Sequence, residues 1–187
     1  MKGLGLMFTN FLRRNVWAAG ILTILRIYVG WQFLQAGWEK LTSSPAFTAA
    51  GFLKGAIAKP VLVSHSTTLE YPNYVAFIKN FALPHVALFN FMIPWGEVLV
   101  GVGLITGTLT TAAAFFGMVM NFSYMFAGTL SSNPWLVMIS IFLIVAGYNA
   151  GRFGGDYWII PYIRRMTAGW WKREVEIPSV GGNKAAH

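Results

Sequence analysis

Long apolar stretches alternate with short polar ones along the 187-residue chain. A helix that crosses a bilayer needs about 20 mostly apolar residues, because lipid offers its backbone no hydrogen-bond partner. Four stretches fit that demand, 16–38, 86–105, 109–127 and 135–150. The pattern predicts an all-α integral membrane protein, a four-transmembrane-helix bundle forming a single membrane domain over 1–187. Only Thr106 to Thr108 separate the second and third spans, which forces an antiparallel hairpin. The stretch 128–134 does the same for the last two, with Ser132, Asn133 and Pro134 reading as a turn that runs into a helix start.

The connection 42–84 is long for a small bundle. Phe47, Phe52, Leu53, Ile57 and Ala58 alternate there with small residues, and a second apolar stretch covers 74–83. Both predict short helices at the outer membrane interface. After the last span, 157–187 reads as an amphipathic tail on the cytoplasmic surface. Trp158, Trp170 and Trp171 suit the headgroup level there, and Arg164 and Arg165 suit anionic lipid. The first span is too long for a signal-peptide core, carries Arg26, and lacks a small-residue cleavage site, so a retained anchor is expected.

Composition agrees with this reading. The chain is 56% hydrophobic and 11% charged, against roughly 25% charged residues in soluble domains. That excludes a disordered chain and leaves too little polar sequence to cover a water-soluble globule. The formal charge of +8 acts mainly as a topology signal. Lys2, Arg13 and Arg14 precede the first span, and Arg152, Arg164, Arg165, Lys172, Arg173 and Lys184 follow the last. The smaller set Lys40, Lys54, Lys59 and Lys79 occupies the long connection, so the positive-inside rule places both termini in the cytoplasm. No basic stripe remains on a water-soluble face for nucleic acid. With no cysteine, the chain has no disulfide, thiolate nucleophile or cysteine-ligated cluster. His65, His85 and His187 give neither a haem-ligating pair within the spans nor zinc-like spacing, so no metal or permanently bound cofactor is expected. Serine hydrolase, kinase and Rossmann patterns are missing as well.

The polar residues inside the spans carry the chemistry. Arg26 lies near the middle of the first and Glu97 near the middle of the second. An isolated arginine at the bilayer centre costs about 2.5–3.5 kcal/mol on insertion scales, so a partner is expected, and Glu97 is the nearest by depth. The pair reads either as a device fixing helix register or as part of a ligand or proton site. In the third span Thr110, Ala114, Gly117, Asn121, Tyr124 and Gly128 form one small and polar face. Close helix packing explains Ala114 and Gly117, whereas the Asn121 amide needs partners in a dry bundle. Gly30 and Gly37 again suggest packing. Beside them Tyr28, Gln32, Gln35 and Glu39 draw a polar line toward the outer surface, as a cavity wall or a helix contact. Near the inner surface, Asn149, Arg152 and Asp156 fall at helical spacing, and the last two form a candidate i,i+4 pair, although Gly151, Gly154 and Gly155 favour a turn.

The run Leu25-Arg-Ile-Tyr-Val-Gly-Trp-Gln-Phe-Leu-Gln-Ala-Gly-Trp-Glu-Lys-Leu41 resembles the first helix of DoxX-type membrane proteins. The resemblance continues through Pro94-Trp-Gly-Glu-Val-Leu-Val-Gly-Val-Gly-Leu-Ile-Thr-Gly107 and Phe116-Gly-Met-Val-Met-Asn-Phe122, and ends on Tyr148-Asn-Ala-Gly-Arg152 and Asp156. It spans about 25–161, and the order of the motifs on four hydrophobic spans is what makes it specific. It implies a multi-pass four-helix bundle in a bacterial or archaeal plasma membrane, related to subunits named for thiosulfate:quinone oxidoreductase. The long insert between the first two spans departs from the shortest members of that family. The implied function is a subunit or relative of a quinone-linked oxidoreductase, with thiosulfate dehydrogenase (quinone) the implied activity. Quinone would then be a co-substrate, Arg26 or Asn121 would bind its carbonyl, and Glu97 would relay a proton. Because the chain holds no thiol, metal or nucleotide site for electrons, a redox partner subunit is implied. The alternative is a non-enzymatic scaffold or small-molecule carrier, expected as a homo-oligomer, whose buried polar residues are structural.

Overall fold

The computed structural model describes residues 2–167, and its ordered elements there are helices, with a single isolated bridge between Leu62 and Leu69. The expectations placed on Trp170, Trp171, Lys172, Arg173, Lys184 and His187 lie outside the described residues. An amphipathic helix, α1 (Lys2–Arg14), precedes the bundle and had no counterpart among the predicted spans. Its polar positions dilute the hydropathy of any membrane-length window. Leu6, Met7 and Phe8 remain exposed, while Leu12 turns into the core. Asn15 ends this helix and caps the next, its Oδ1 accepting from the N–H groups of Trp17 and Ala18 at 2.8 and 3.3 Å.

The bundle consists of α2 (Val16–Thr42), α5 (Val86–Thr106), α6 (Thr110–Phe126) and α7 (Asn133–Ala146), the last continued by a 3₁₀ turn (Gly147–Ala150). Among the described residues three segments are long and apolar enough to cross a membrane: Val16–Thr42, Val86–Thr106 and Asn133–Ala150. The helix α6, with 17 residues, is about 25 Å long at 1.5 Å per residue and fills the fourth place. Between α2 and α5 come α3 (Ala50–Ala58) and α4 (Pro72–Phe77), the latter running on as a π turn (Ile78–Ala82). After the bundle comes α8 (Asp156–Thr167).

Two close approaches set the register of α2 on α5. A Cβ added at Gly101 would lie 2.6 Å from the Leu34 nitrogen, and one at Gly37 would lie 2.8 Å from the Pro94 oxygen. Without side chains at these points the backbones pack almost directly on one another, the usual device where lipid gives helices no hydrophobic reason to associate. The predicted small face of α6 is buried at Thr110, Ala114, Gly117 and Asn121. Gly117 receives the Phe33 ring, which joins Val29, Val100, Leu104 and Leu143 in the main core.

The two short helices do more than lie on an interface. Ala49, Leu53, Ala56, Ile78 and Ala82 bury together as a second core that reaches Phe89 and Ile93 of α5. The Ala49 N–H donates to Asn90 Oδ1 at 2.7 Å, and the Tyr74 hydroxyl donates to the Ser123 carbonyl at 2.7 Å. This connection therefore closes one end of the bundle, called here the loop end. The opposite, or terminal, end carries α1, the α5–α6 turn and the start of α8.

Candidate functional site

The expected pairing of Arg26 with Glu97 does not occur. The contacts at Gly30, Gly37 and Gly101 align Arg26 with the far end of α5 and Glu97 with the last turns of α2. Arg26 Nη1 donates to the carbonyls of Leu104 and Ile105, the latter at 2.8 Å, and Nη2 donates to the Phe153 carbonyl at 2.9 Å. The guanidinium thus satisfies carbonyls that the end of a helix leaves without intrahelical partners, where the dipole also favours a cation. The turn that follows needs Gly107, at φ +68°, because a Cβ there would lie 2.7 Å from Arg26 Cζ.

The expected Arg152–Asp156 pair is absent as well. Asp156 is buried and accepts from the N–H groups of Leu109 and Thr110 at 2.6 and 3.0 Å, capping the start of α6. The glycine-rich run turns the chain so that Asp156 faces α6, while Arg152 is left exposed. Backbone bonds from Gly155 to the Thr106 carbonyl and from Asp156 to the Gly107 carbonyl complete this latch. Asn149 belongs to the same end. Its Nδ2 donates to the carbonyls of Leu12 and Asn15 at 2.8 and 2.9 Å, tying the last bundle segment to the α1–α2 junction.

At the loop end polar side chains also meet one another. Lys40, in the last turn of α2, donates to both oxygens of Glu97 at 3.0 and 2.8 Å and to the Ala36 carbonyl at 3.2 Å. The Tyr124 hydroxyl donates to Glu97 Oε1 at 2.7 Å. The Glu97 side chain is 3% exposed and that of Lys40 27%, so the pair runs from the interior toward the surface. Lys40 and Tyr124 were both visible in the sequence, Lys40 as a loop charge and Tyr124 as part of the α6 face. One turn below Tyr124, Asn121 is buried and its Nδ2 has no partner. Gln35 and Glu39 bond to each other at 3.1 Å on the exposed side of α2.

A cavity of about 1030 Å³ runs between α5 and α6 and is roofed at the loop end by Phe52, Tyr74 and Ile78. Its walls are apolar, with Leu99, Val102 and Gly103 on one side and Ala113, Phe116 and Met120 on the other. Leu99 and Phe116 are largely exposed, so the cavity is a groove that opens sideways where lipid would lie. Tyr124 lines its loop end and connects it to Glu97. Its volume matches sites that enclose a drug-sized molecule.

A bundle of apolar helices with a buried carboxylate–ammonium pair and a sideways groove defines an all-α membrane protein. The DoxX family model matches residues 21–130, more than half of the chain, and the chain belongs to that family. No curated protein and no solved structure matches.

Proposed function

We propose that this DoxX-family protein is a subunit or relative of a quinone-linked oxidoreductase, and that the α5–α6 groove is its quinone site. The observation that carries the proposal is the groove itself, an apolar slot of about 1030 Å³ that ends on the Tyr124–Glu97 hydrogen bond. A prenylated ring needs a lipid-accessible slot for its tail and a few polar groups to orient its head, and the groove supplies both. Glu97 takes the proton-relay role, with Lys40 between it and the surface. Electrons pass to or from a partner subunit. The exposed residues Lys54, Lys59 and Lys79 lie in the same connection and would attract a small dianion such as thiosulfate. On this reading the protein is multi-pass in a bacterial or archaeal plasma membrane, with both termini in the cytoplasm.

The test is mild-detergent purification followed by lipid extraction and photolabelling with an azido-quinone. Quinone should copurify, and label should map to α5 and α6. Ala113→Trp, which fills the groove, should abolish both. Label spread evenly over the lipid-facing helices would sink the site. The scaffold or carrier reading has its own support, since Arg26, Asn149 and Asp156 are engaged by backbone at the terminal end. It predicts that Ala113→Trp leaves partner assembly and cellular phenotype intact.

A further inference from the structure

The hydrogen-bond roles left open at the head of the groove narrow the choice of ligand. Three hydroxyl-bearing residues line its loop end, Tyr74, Ser123 and Tyr124. Each already donates its one proton to a protein acceptor. Tyr74 donates to the Ser123 carbonyl at 2.7 Å, Ser123 Oγ to the Val119 carbonyl at 2.9 Å, and Tyr124 to Glu97 Oε1 at 2.7 Å. The partners fix these directions. A carbonyl oxygen has no proton to give, and both Glu97 oxygens already accept from Lys40. Burial raises the pKa of the Tyr74 phenol above its ordinary value, which keeps that proton in place. What the three oxygens have left to offer is lone pairs. The indole N–H of Trp95 is a donor in the same lining, but it can meet an oxygen of either redox form.

Resting on that reading, we propose that the groove head selects the reduced, hydroxyl-bearing form of its ligand, a quinol, over the quinone. A quinol hydroxyl donates to the Tyr124 oxygen, whereas both oxygens of a quinone only accept and would face lone pairs. A site built for one hydrogen-bond role discriminates strongly against a ligand that cannot fill it. One hydrogen bond gained, set against one polar contact left unpaired, corresponds to about a tenfold preference.

The experiment measures anaerobic equilibrium binding to the full chain in phosphatidylcholine nanodiscs. The probes are decylubiquinol, decylubiquinone and the dimethyl ether of the quinol, which keeps the reduced ring but cannot donate. The expected result is quinol binding about tenfold tighter than either other probe. Tyr124→Phe should bring the ratio down to about threefold or less, and Tyr74→Phe, which leaves the Lys40–Glu97 pair intact, should lower it in part. Equal binding of quinol and quinone, or tighter quinone, overturns the preference while leaving the quinone site standing. A preference that survives in both tyrosine variants overturns it too. If none of the three probes binds, the quinone site falls, and the preference with it.

Discussion

Three substitutions, made singly and in pairs, separate the two polar ends of this bundle: Arg26→Met, Lys40→Met and Glu97→Leu. Removing Lys40 leaves the Glu97 carboxylate buried with only Tyr124 as a side-chain partner, and breaking a buried pair in this way costs about 3–5 kcal/mol. Glu97→Leu should cost less, because the Lys40 side chain is 27% exposed and its ammonium can turn toward water. The double variant should then cost well under the sum, with a coupling of about 2–3 kcal/mol. Arg26→Met strands the carbonyls of Leu104, Ile105 and Phe153, for a loss of about 3 kcal/mol. Its effect should be independent of Glu97. The Ile105 carbonyl that Arg26 holds lies about 12 Å along the helix from Glu97, and sites this far apart add within about 0.5 kcal/mol. The assay is reversible unfolding in mixed micelles, with the fraction of denaturing detergent as the variable and helix circular dichroism as the signal. An Arg26–Glu97 coupling above about 1 kcal/mol, or strict additivity of Lys40 and Glu97, would refute the partner assignment.

Three further outcomes follow from single contacts. Gly101→Ala puts a Cβ 2.6 Å from the Leu34 nitrogen and 2.8 Å from the Gly30 oxygen, both backbone. The helices must part, and thermal unfolding should register a loss of about 1–3 kcal/mol. Asp156→Asn removes the charge that caps α6 through Leu109 and Thr110. It should cost about 1 kcal/mol, seen most directly as faster amide exchange at those two residues. The raised pKa of Tyr74 makes its contribution pH-dependent. That contribution is fully present below the unfolded phenol value of about 10 and declines as pH rises from there through the folded value. Tyr74→Phe should flatten stability across that alkaline window.

Apolar length and turn chemistry made the bundle legible, because a lipid-crossing helix must satisfy its backbone internally and so must be long and apolar. The α6 face at Thr110, Ala114, Gly117 and Asn121 could be read for the same reason, since spacing alone puts small residues on one side. Partner identity was not legible. Depth within a hydrophobic window placed Arg26 beside Glu97, but the window says nothing of register. Register came from Gly30, Gly37 and Gly101, whose missing side chains let α2 slide to where Lys40 meets Glu97. Lys40 looked like a loop charge because α2 continues to Thr42, past the last strongly apolar residues. The helix α1 escaped because an amphipathic segment is recognised by its faces, and a membrane-length window averages those faces away.

The polar residues of the spans divide by what satisfies them, and that division carries the functional argument. At the terminal end Arg26, Asn149 and Asp156 all bond to backbone at helix ends. Main-chain groups at a helix terminus need partners whatever the protein does, so these side chains are accounted for by the fold. At the loop end no helix terminus requires Glu97. It sits in mid-helix, 2% exposed, and its partners are two other side chains. An apolar residue there would pack without the cost of burying charge, since replacing a buried ion pair by hydrophobic side chains is often neutral or stabilising. The carboxylate, like the unpartnered Asn121 amide, is therefore a group whose presence the fold does not explain. It is also the one linked through a single hydroxyl to the groove that opens on lipid.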